Sequence, residues 1–399
     1  MMRLFLFCLA LAGPFSQILI AGTATSPLPG DTTLAIEFQL RTRSEWRDGY
    51  RLSATESAEG TLTTVQRNRI GLSGAWDKLE FKIQLQDVRT FGSPAGQTSA
   101  NVDAAAAWAA IPLTSRIKMT FGRMFVDIDD GRIVGAANWA NPGRFLDGFR
   151  FDLQRDRGLT SVLATWDEGA QTQRHIAYHM GTLQEGKHRY SFLLFEQASE
   201  TQADLTTAGG TWKWMPRAGK WWNAEAYVQF PDGGGTAFMW AINGGKTWEN
   251  GTGSRWGIDY LSGNTNGPAF VPVLGTNHKF YGWMDHFYVG AATDGLVNAL
   301  ISHRVPLFSD RATLGATLHQ FRSPSEDALL GNELDLWLTG KHASGLQWHV
   351  GWSVMDPTER HVERQGHLTG DATATADAAG TLQQWGWVSL NLNPSILLK

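Results

Sequence analysis

Four arginines occur as two i, i+2 pairs, Arg41/Arg43 and Arg67/Arg69, each beside apolar residues such as Leu40 and Ile70. Side chains two apart on a strand share one face, so each pair reads as two cations on one wall. A wall of guanidinium groups performs no covalent step; rings of Arg or Lys draw anionic solutes and hold them weakly. The same alternation puts Lys82, Arg116, Lys118, Arg150, Arg304 and Arg311 on the polar faces of their segments. Glu37, Glu45, Glu80, Asp152, Glu225, Glu333 and Asp335 take equivalent places. Ten cations against seven anions thus share the polar wall of a chain whose formal net charge is −4.

Other reactive arrangements are sparse. There is no G-x-S-x-G elbow, H-E-x-x-H or Walker loop. His175 and His179 share a face at i, i+4, but on a strand that separates them by about 13 Å, too far for one metal. Asp127, Asp129 and Asp130 offer oxygens to calcium, yet D-x-D-D-G lacks the spaced ligands and terminal Glu of a calcium loop. The only cysteine is Cys8. No catalytic residue, metal ligand or cofactor is therefore expected; a Ser–His pair assembled in space is the enzymatic alternative.

The elements that carry these residues are strands. Leu34, Ile36, Phe38 and Leu40 alternate with Glu37, Gln39, Arg41, Arg43 and Glu45. Leu79, Phe81, Ile83 and Leu85 alternate with Glu80, Lys82, Gln84 and Gln86. Similar segments recur near residues 117–121, 334–338 and 346–353. Short breaks fall at Asp77–Lys78, Pro112–Ser115, Arg155–Arg157, Gln184–Lys187, Pro216–Gly219, Glu249–Gly253, Leu307–Asp310 and Ala343–Gly345. The long ones, Arg47–Gly60, Val126–Phe145, Asn264–Thr293 and Asp356–Leu382, always alternate with them. Tight turns at one end and long loops at the other describe an outer-membrane barrel of about 18 antiparallel strands. The fold expected is therefore all-β, a transmembrane antiparallel β-barrel. Apolar outward faces explain the low charged fraction, 18%.

Of the 18 tryptophans, Trp46, Trp76, Trp166, Trp214, Trp222, Trp248 and Trp256 fall at strand ends, as interface girdles require. The 44 glycines suit many turns and bends. Met1–Arg3, the apolar run Leu4–Ala12 and small residues near Ala24 read as a signal peptide over 1–24, leaving 25–399 for the barrel. Its removal takes away Arg3 and leaves 33 Lys and Arg against 38 Asp and Glu. Net acidity gives no support for a nucleic-acid partner. The expected setting is the outer membrane of a Gram-negative bacterium, with its lipid as partner.

The stretch Phe121–Phe151, with Gly122, Arg123, Asp130, Arg132, Gly135, Trp139, Gly143, Arg144, Asp147 and Gly148, resembles the alginate export family of outer-membrane porins. Gln66–Arg69 with Gly71 and Leu72, Gln84–Arg89 and Gly275–Asp285 are similar to further blocks of that family. The likeness runs from about residue 34 to 390 and implies an eighteen-stranded barrel. It departs at the C-terminus, where Asn393–Lys399 has no aromatic residue.

Together these readings give a channel for polar solutes, anionic ones such as uronic-acid oligosaccharides or polysaccharide among them, with periplasmic secretion or uptake partners. Arg41, Arg43, Arg67, Arg69, Lys82, Arg116, Lys118, Arg150, Glu37 and Glu45 would line the pore. Asp130, Arg132, Trp139, Arg144 and Asp147 would belong to a constriction loop. Lys279, Tyr281, Trp283 and Asp285 would stand on an extracellular loop, as a sugar-contacting lid or a self-packed cover. The alternative is a secreted or surface carbohydrate-binding β-protein without channel activity.

Overall fold

A computed structural model describes residues 32–49, 60–91, 102–168, 172–200, 203–287, 294–308, 311–369 and 382–398. Residues 1–24, expected as a leader, and Tyr288 lie outside the described residues. The chain runs through β1 (Thr33–Asp48), β2 (Thr61–Trp76), β3 (Leu79–Phe91), β4 (Asp103–Pro112), β5 (Ile117–Met124) and β6 (Leu146–Arg155). It continues through β7 (Gly158–Glu168), β8 (Thr172–Glu185), β9 (His188–Ser199), β10 (Leu205–Arg217), β11 (Lys220–Pro231) and β12 (Ala237–Thr247). The last third holds β13 (Gly253–Leu261), β14 (Leu296–Leu307), β15 (Ala312–Ser323), β16 (Ala328–Lys341), β17 (Gln347–Pro357) and β18 (Gln383–Leu392), with α1 (Glu359–Thr369) between β17 and β18.

Each strand pairs antiparallel with its sequence neighbours, and β1 pairs with both β2 and β18, which closes the barrel at eighteen strands. Full closure removes every unpaired edge. Ladder pairing breaks at Asn393–Pro394, where proline has no N–H to give. It does not stop there: Ser395–Leu398 resumes pairing with β1, and the Phe38 amide donates to the Pro394 carbonyl at 2.9 Å. All eight short breaks fall between consecutive strands at one end of the barrel.

The period-two pattern is realised on both walls. Phe38, Leu40, Ile70, Ile83 and Leu85 are exposed on the outside, as are Phe192, Ile301 and Leu318 further round. Water would penalise such a belt by about 25 cal/mol per Å² of apolar surface, whereas a bilayer accepts it. Trp76, Trp166, Trp222, Trp248 and Trp256 stand exposed near strand ends.

Part of the excess of Trp and of Gly is one feature. Gly351 lies directly opposite Trp387, Gly315 opposite Trp337, Gly340 opposite Trp348, Gly245 opposite Trp221 and Gly244 opposite Trp256. The indole covers the glycine in each pair: a Cβ on Gly351 would sit 2.0 Å from Trp387, and one on Gly315 2.1 Å from Trp337. The large ring fills the hole left by its partner, the cross-strand device called aromatic rescue.

The apolar core sits inside the barrel. Leu163, Ala177, Leu193, Phe195, Tyr227, Met239, Leu261, Phe321 and Met355 point inward and are buried. The sequence expectation of a polar inner face therefore fails along this arc, because two loops fold into the lumen and bury themselves there. Gly351→Ala should lower the temperature at which the barrel loses its heat-modifiable gel mobility, since overpacking costs roughly 1–3 kcal/mol. Adding Trp387→Leu should recover part of that loss; no recovery would mean that the indole is not what the new methyl strikes.

Candidate functional site

The 125–145 loop, between β5 and β6, enters the lumen and meets the wall of β1 and β2. The backbone of residues 138–142 turns its carbonyls toward the arginine pairs. Arg41 donates to the Asn138 and Ala140 carbonyls at 2.8 and 3.0 Å, and Arg43 to the Trp139 carbonyl at 2.9 Å. Arg67 reaches the carbonyls of Asn138, Ala140 and Asn141 at 3.2–3.3 Å, and Arg69 that of Pro142 at 3.0 Å. All four arginines are buried, Arg67 to 1% exposure. Among the described residues their single carboxylate partner is Glu45, 2.6 Å from Arg43 and shared with Arg47 at 2.9 Å. Carbonyl dipoles satisfy the hydrogen bonds without cancelling the charge.

Three inward cations of β3–β6 are balanced by neighbours. Lys82 pairs with Glu37 at 2.6 Å, Lys118 with Glu80 at 3.2 Å and Arg150 with Asp152 at 2.8 Å. Arg116 is not on a strand wall: it stands in the 113–116 turn, largely exposed, 3.6 Å from Asp156. Arg311 likewise lies in a turn. Turns interrupt the period-two count, and residues at their lip were assigned a face they do not have.

The second inward loop, 262–295, joins the first. The amide of Gly135 donates to the Leu274 carbonyl and that of Thr276 to the Gly131 carbonyl, both at 2.8 Å, beside a parallel bridge between Val134 and Leu274. Close approach explains Gly135, whose added Cβ would meet the Thr276 hydroxyl at 2.2 Å. Arg144 spans the junction, donating to the carbonyls of Gly135 and Leu274. Asp147 is not a loop residue; it opens β6 and holds Arg123 of β5 through two bonds, 2.9 and 2.7 Å.

Tyr281, Trp283 and Asp285 do not form an external cover either. Tyr281 is buried, Trp283 is partly buried in the central cluster, and Asp285 bonds His278 at 2.8 Å. Lys279 is exposed to the lumen and donates to the Asp130 carbonyl at 2.7 Å. The apolar side chains of this loop, Phe270, Phe280, Met284 and Phe287, find no partners outside the barrel and pack on its inner wall. Trp139 lies between Arg43, 4.2 Å from its ring centre, and the His278 ring, stacked at 4.4 Å. Its edges meet Trp385 and Trp387, two inward residues of β18.

Arg132 ties both loops to the opposite wall. Its guanidinium donates to Glu225 on β11 at 2.9 Å, to Asp259 on β13 at 3.1 Å and to the Tyr281 hydroxyl at 3.1 Å, with Phe280 stacked 4.0 Å away. Burial alone would lower its pKa, but Glu225 and Asp259 outweigh that and hold it well above the ordinary arginine value. Burial pushes the Tyr281 hydroxyl up, so it stays protonated. Beyond this tie, the Met284 amide donates to Glu333 at 3.0 Å, and Asp335 accepts from Ser353. No arginine or lysine pairs with Glu333 or Asp335 among the described residues; His319 stands 3.5 Å from Asp335. The lumen thus has a basic arc on β1–β2 and an acidic one on β11–β16.

The three loop aspartates diverge: Asp127 accepts from the Ala136 amide, Asp130 from the Arg132 amide and Asp129 from Ser191. Ser191 is also 2.8 Å from His179 Nε2, yet Asp129 lies 3.3 Å from that same nitrogen. A proton relay needs acid and nucleophile on opposite ring nitrogens; this geometry tethers a loop. Sequence reasoning missed Asp259, Arg255, Arg189 and Lys213, all inward, although Ile258 and Tyr260 flank Asp259 in plain alternation.

Helix α1 closes over the 262–295 loop. His361 is fully buried against Phe287, and Arg364 lies 5.0 Å over the same ring and 3.6 Å from Asp294.

Solved structures with this architecture include Pseudomonas aeruginosa OccK11 (OpdR), with a TM-score of 0.63 at 11% identity over 92% of this chain and 96% of that one. Acinetobacter baumannii OccAB1 gives 0.62 at 12% over 92% and 97%. Pseudomonas aeruginosa OprD gives 0.59 at 9% over 92% and 96%. No protein-family model matches the chain, and no curated protein matches it in sequence. The chain therefore has the closed eighteen-stranded fold of outer-membrane porins. The neighbours are of the OprD/Occ group and do not single out the alginate export family.

Arg132→Met should leave Glu225 and Asp259 buried without a cation, a loss of roughly 3–5 kcal/mol. Larger, noisier single-channel conductance should accompany the lowered unfolding temperature as the loops detach. Adding Glu225→Gln and Asp259→Asn should restore much of the stability; unchanged conductance in Arg132→Met would show that the tie does not hold the loops.

Burial, aided by Arg364, pushes His361 down to about 3 from its ordinary 6.5. A lowered histidine pKa leaves stability intact above pH 6.5 and removes it as pH falls toward 3, by about 2 kcal/mol at pH 5. A spin label at Glu363→Cys should grow more mobile between pH 7 and 5, and His361→Phe should abolish that dependence.

Proposed function

We propose that this chain is an outer-membrane channel that passes small polar solutes and favours anions, sugar acids such as uronic-acid oligosaccharides being the natural class. The observation that carries this reading is the arc of Arg41, Arg43, Arg67 and Arg69 with one carboxylate, Glu45, among them. Three of these cations bond only to neutral groups, so their field reaches the lumen across a low-dielectric wall. The inward loops narrow the lumen, which suits passage of single small molecules over that of a thick polymer. Passage needs no covalent chemistry: charged walls bind weakly enough to release.

Reversal potentials across planar bilayers under a salt gradient test this directly. The wild-type channel should be anion-selective, and Arg41→Gln with Arg69→Gln should move the potential toward cation selectivity. A cation-selective wild-type channel would overturn the proposal.

A further inference from the structure

The periplasmic side of the lumen holds a cavity of about 360 Å³ below the loop junction, on the wall of β9–β13, away from the arginine pairs of β1–β2. Arg189 of β9 and Lys213 of β10 line it and lie directly opposite each other in the ladder. Both point inward, both are exposed, and neither has a carboxylate within 4 Å among the described residues. Side chains in such a pair start from Cβ atoms roughly 4.5–5.5 Å apart, and like charges there are destabilising. Every other inward cation of β1–β6 has a carboxylate or a row of carbonyls to hold it; this pair has neither.

The rest of the cavity offers what a bound anion would use. Thr211 lies next to Lys213 along its strand, and Asn223 and Trp221 of β11 line the cavity beside it. Arg255 is fixed by two bonds to Asn243, 3.3 and 2.9 Å, so its charge is aimed rather than mobile. The acids at the upper edge are already committed, Asp129 to Ser191 and Glu225 to Arg132.

We infer that Arg189 and Lys213 form an oxyanion-binding subsite at the periplasmic mouth, taking a carboxylate or phosphate group between them, with the Trp221 ring as a platform for the solute's body. The guanidinium fork engages two oxygens while the ammonium acts as a point charge. An anion between the two cations converts a mutual repulsion into two attractions, so binding and barrel stability rise together. The subsite deepens the channel reading and rests on it, giving a solute a second holding point on the far side of the constriction.

The test uses the full-length barrel with sodium glucuronate and sodium phosphate as probes. In detergent, one or both should raise the wild-type heat-unfolding midpoint, and Arg189→Gln/Lys213→Gln should remove that rise. In bilayers, blocking events from the periplasmic side should become at least about five-fold rarer in the double variant, as expected when both steering charges are lost. Lys213→Gln alone, without anion, should raise the unfolding midpoint, because it ends the like-charge pair. A response to glucuronate alone supports a carboxylate site, and one to phosphate alone a phosphate site. An equal midpoint shift in wild type and double variant, or none with either probe, overturns the subsite even if reversal potentials show an anion-selective pore. A cation-selective pore with anion-dependent stabilisation would instead retain the subsite and sink the channel preference.

Discussion

A loop that enters a barrel gives up water, and each of its peptide groups then needs another partner. The carbonyls of residues 138–142 find theirs in Arg41, Arg43, Arg67 and Arg69, and the interior is built outward from that contact. With the loop held there, Arg132 reaches Glu225 and Asp259, Trp139 reaches His278, and Gly135 lies against Thr276. The 262–295 loop is secured in turn, its own amides received by Glu333. One loop is thus held by its acceptors on a basic wall, the other by a donor on an acidic one. Because carbonyls are neutral, the basic wall keeps its charge after binding the loop, and the same arginines serve architecture and field.

Composition takes on a different meaning in this setting. Some glycines and tryptophans face each other across strands, the indole of Trp387 covering Gly351 and that of Trp337 covering Gly315. The barrel has a core, but it is the seam between loops and inner wall. Phe280, Met284 and Phe287 meet Phe321 and Met355 there. The inner wall is charged on β1–β2, where the first loop docks through its carbonyls, and apolar where the loops' own apolar side chains pack.

Much of the wall is legible in the sequence. Leu34 through Glu45 alternates cleanly, and alternation alone separates Phe38 from Arg41. Arg116, Arg311 and Asp147 were misplaced by a residue or two, because a turn resets the count and pattern does not mark where a strand begins. Asp259 was overlooked although its neighbours alternate, since one acid among apolar residues carries no sign of its partner. That partner, Arg132, lies 127 residues away. Tyr281, Trp283 and Asp285 were placed outside because a loop rich in aromatic rings has no period to say what it packs against.

The sequence by itself determined the strand number, the alternation of tight and long connections, and the charged inward face of β1–β3. Those follow from local rules, period two along a strand and turn chemistry at its end. Tertiary structure decided that the long loops fold into the lumen, which cations keep their charge, and where the acids gather. These depend on contacts between residues 70 to 150 apart, made only when the sheet closes and the groups a loop leaves without water meet the wall that receives them.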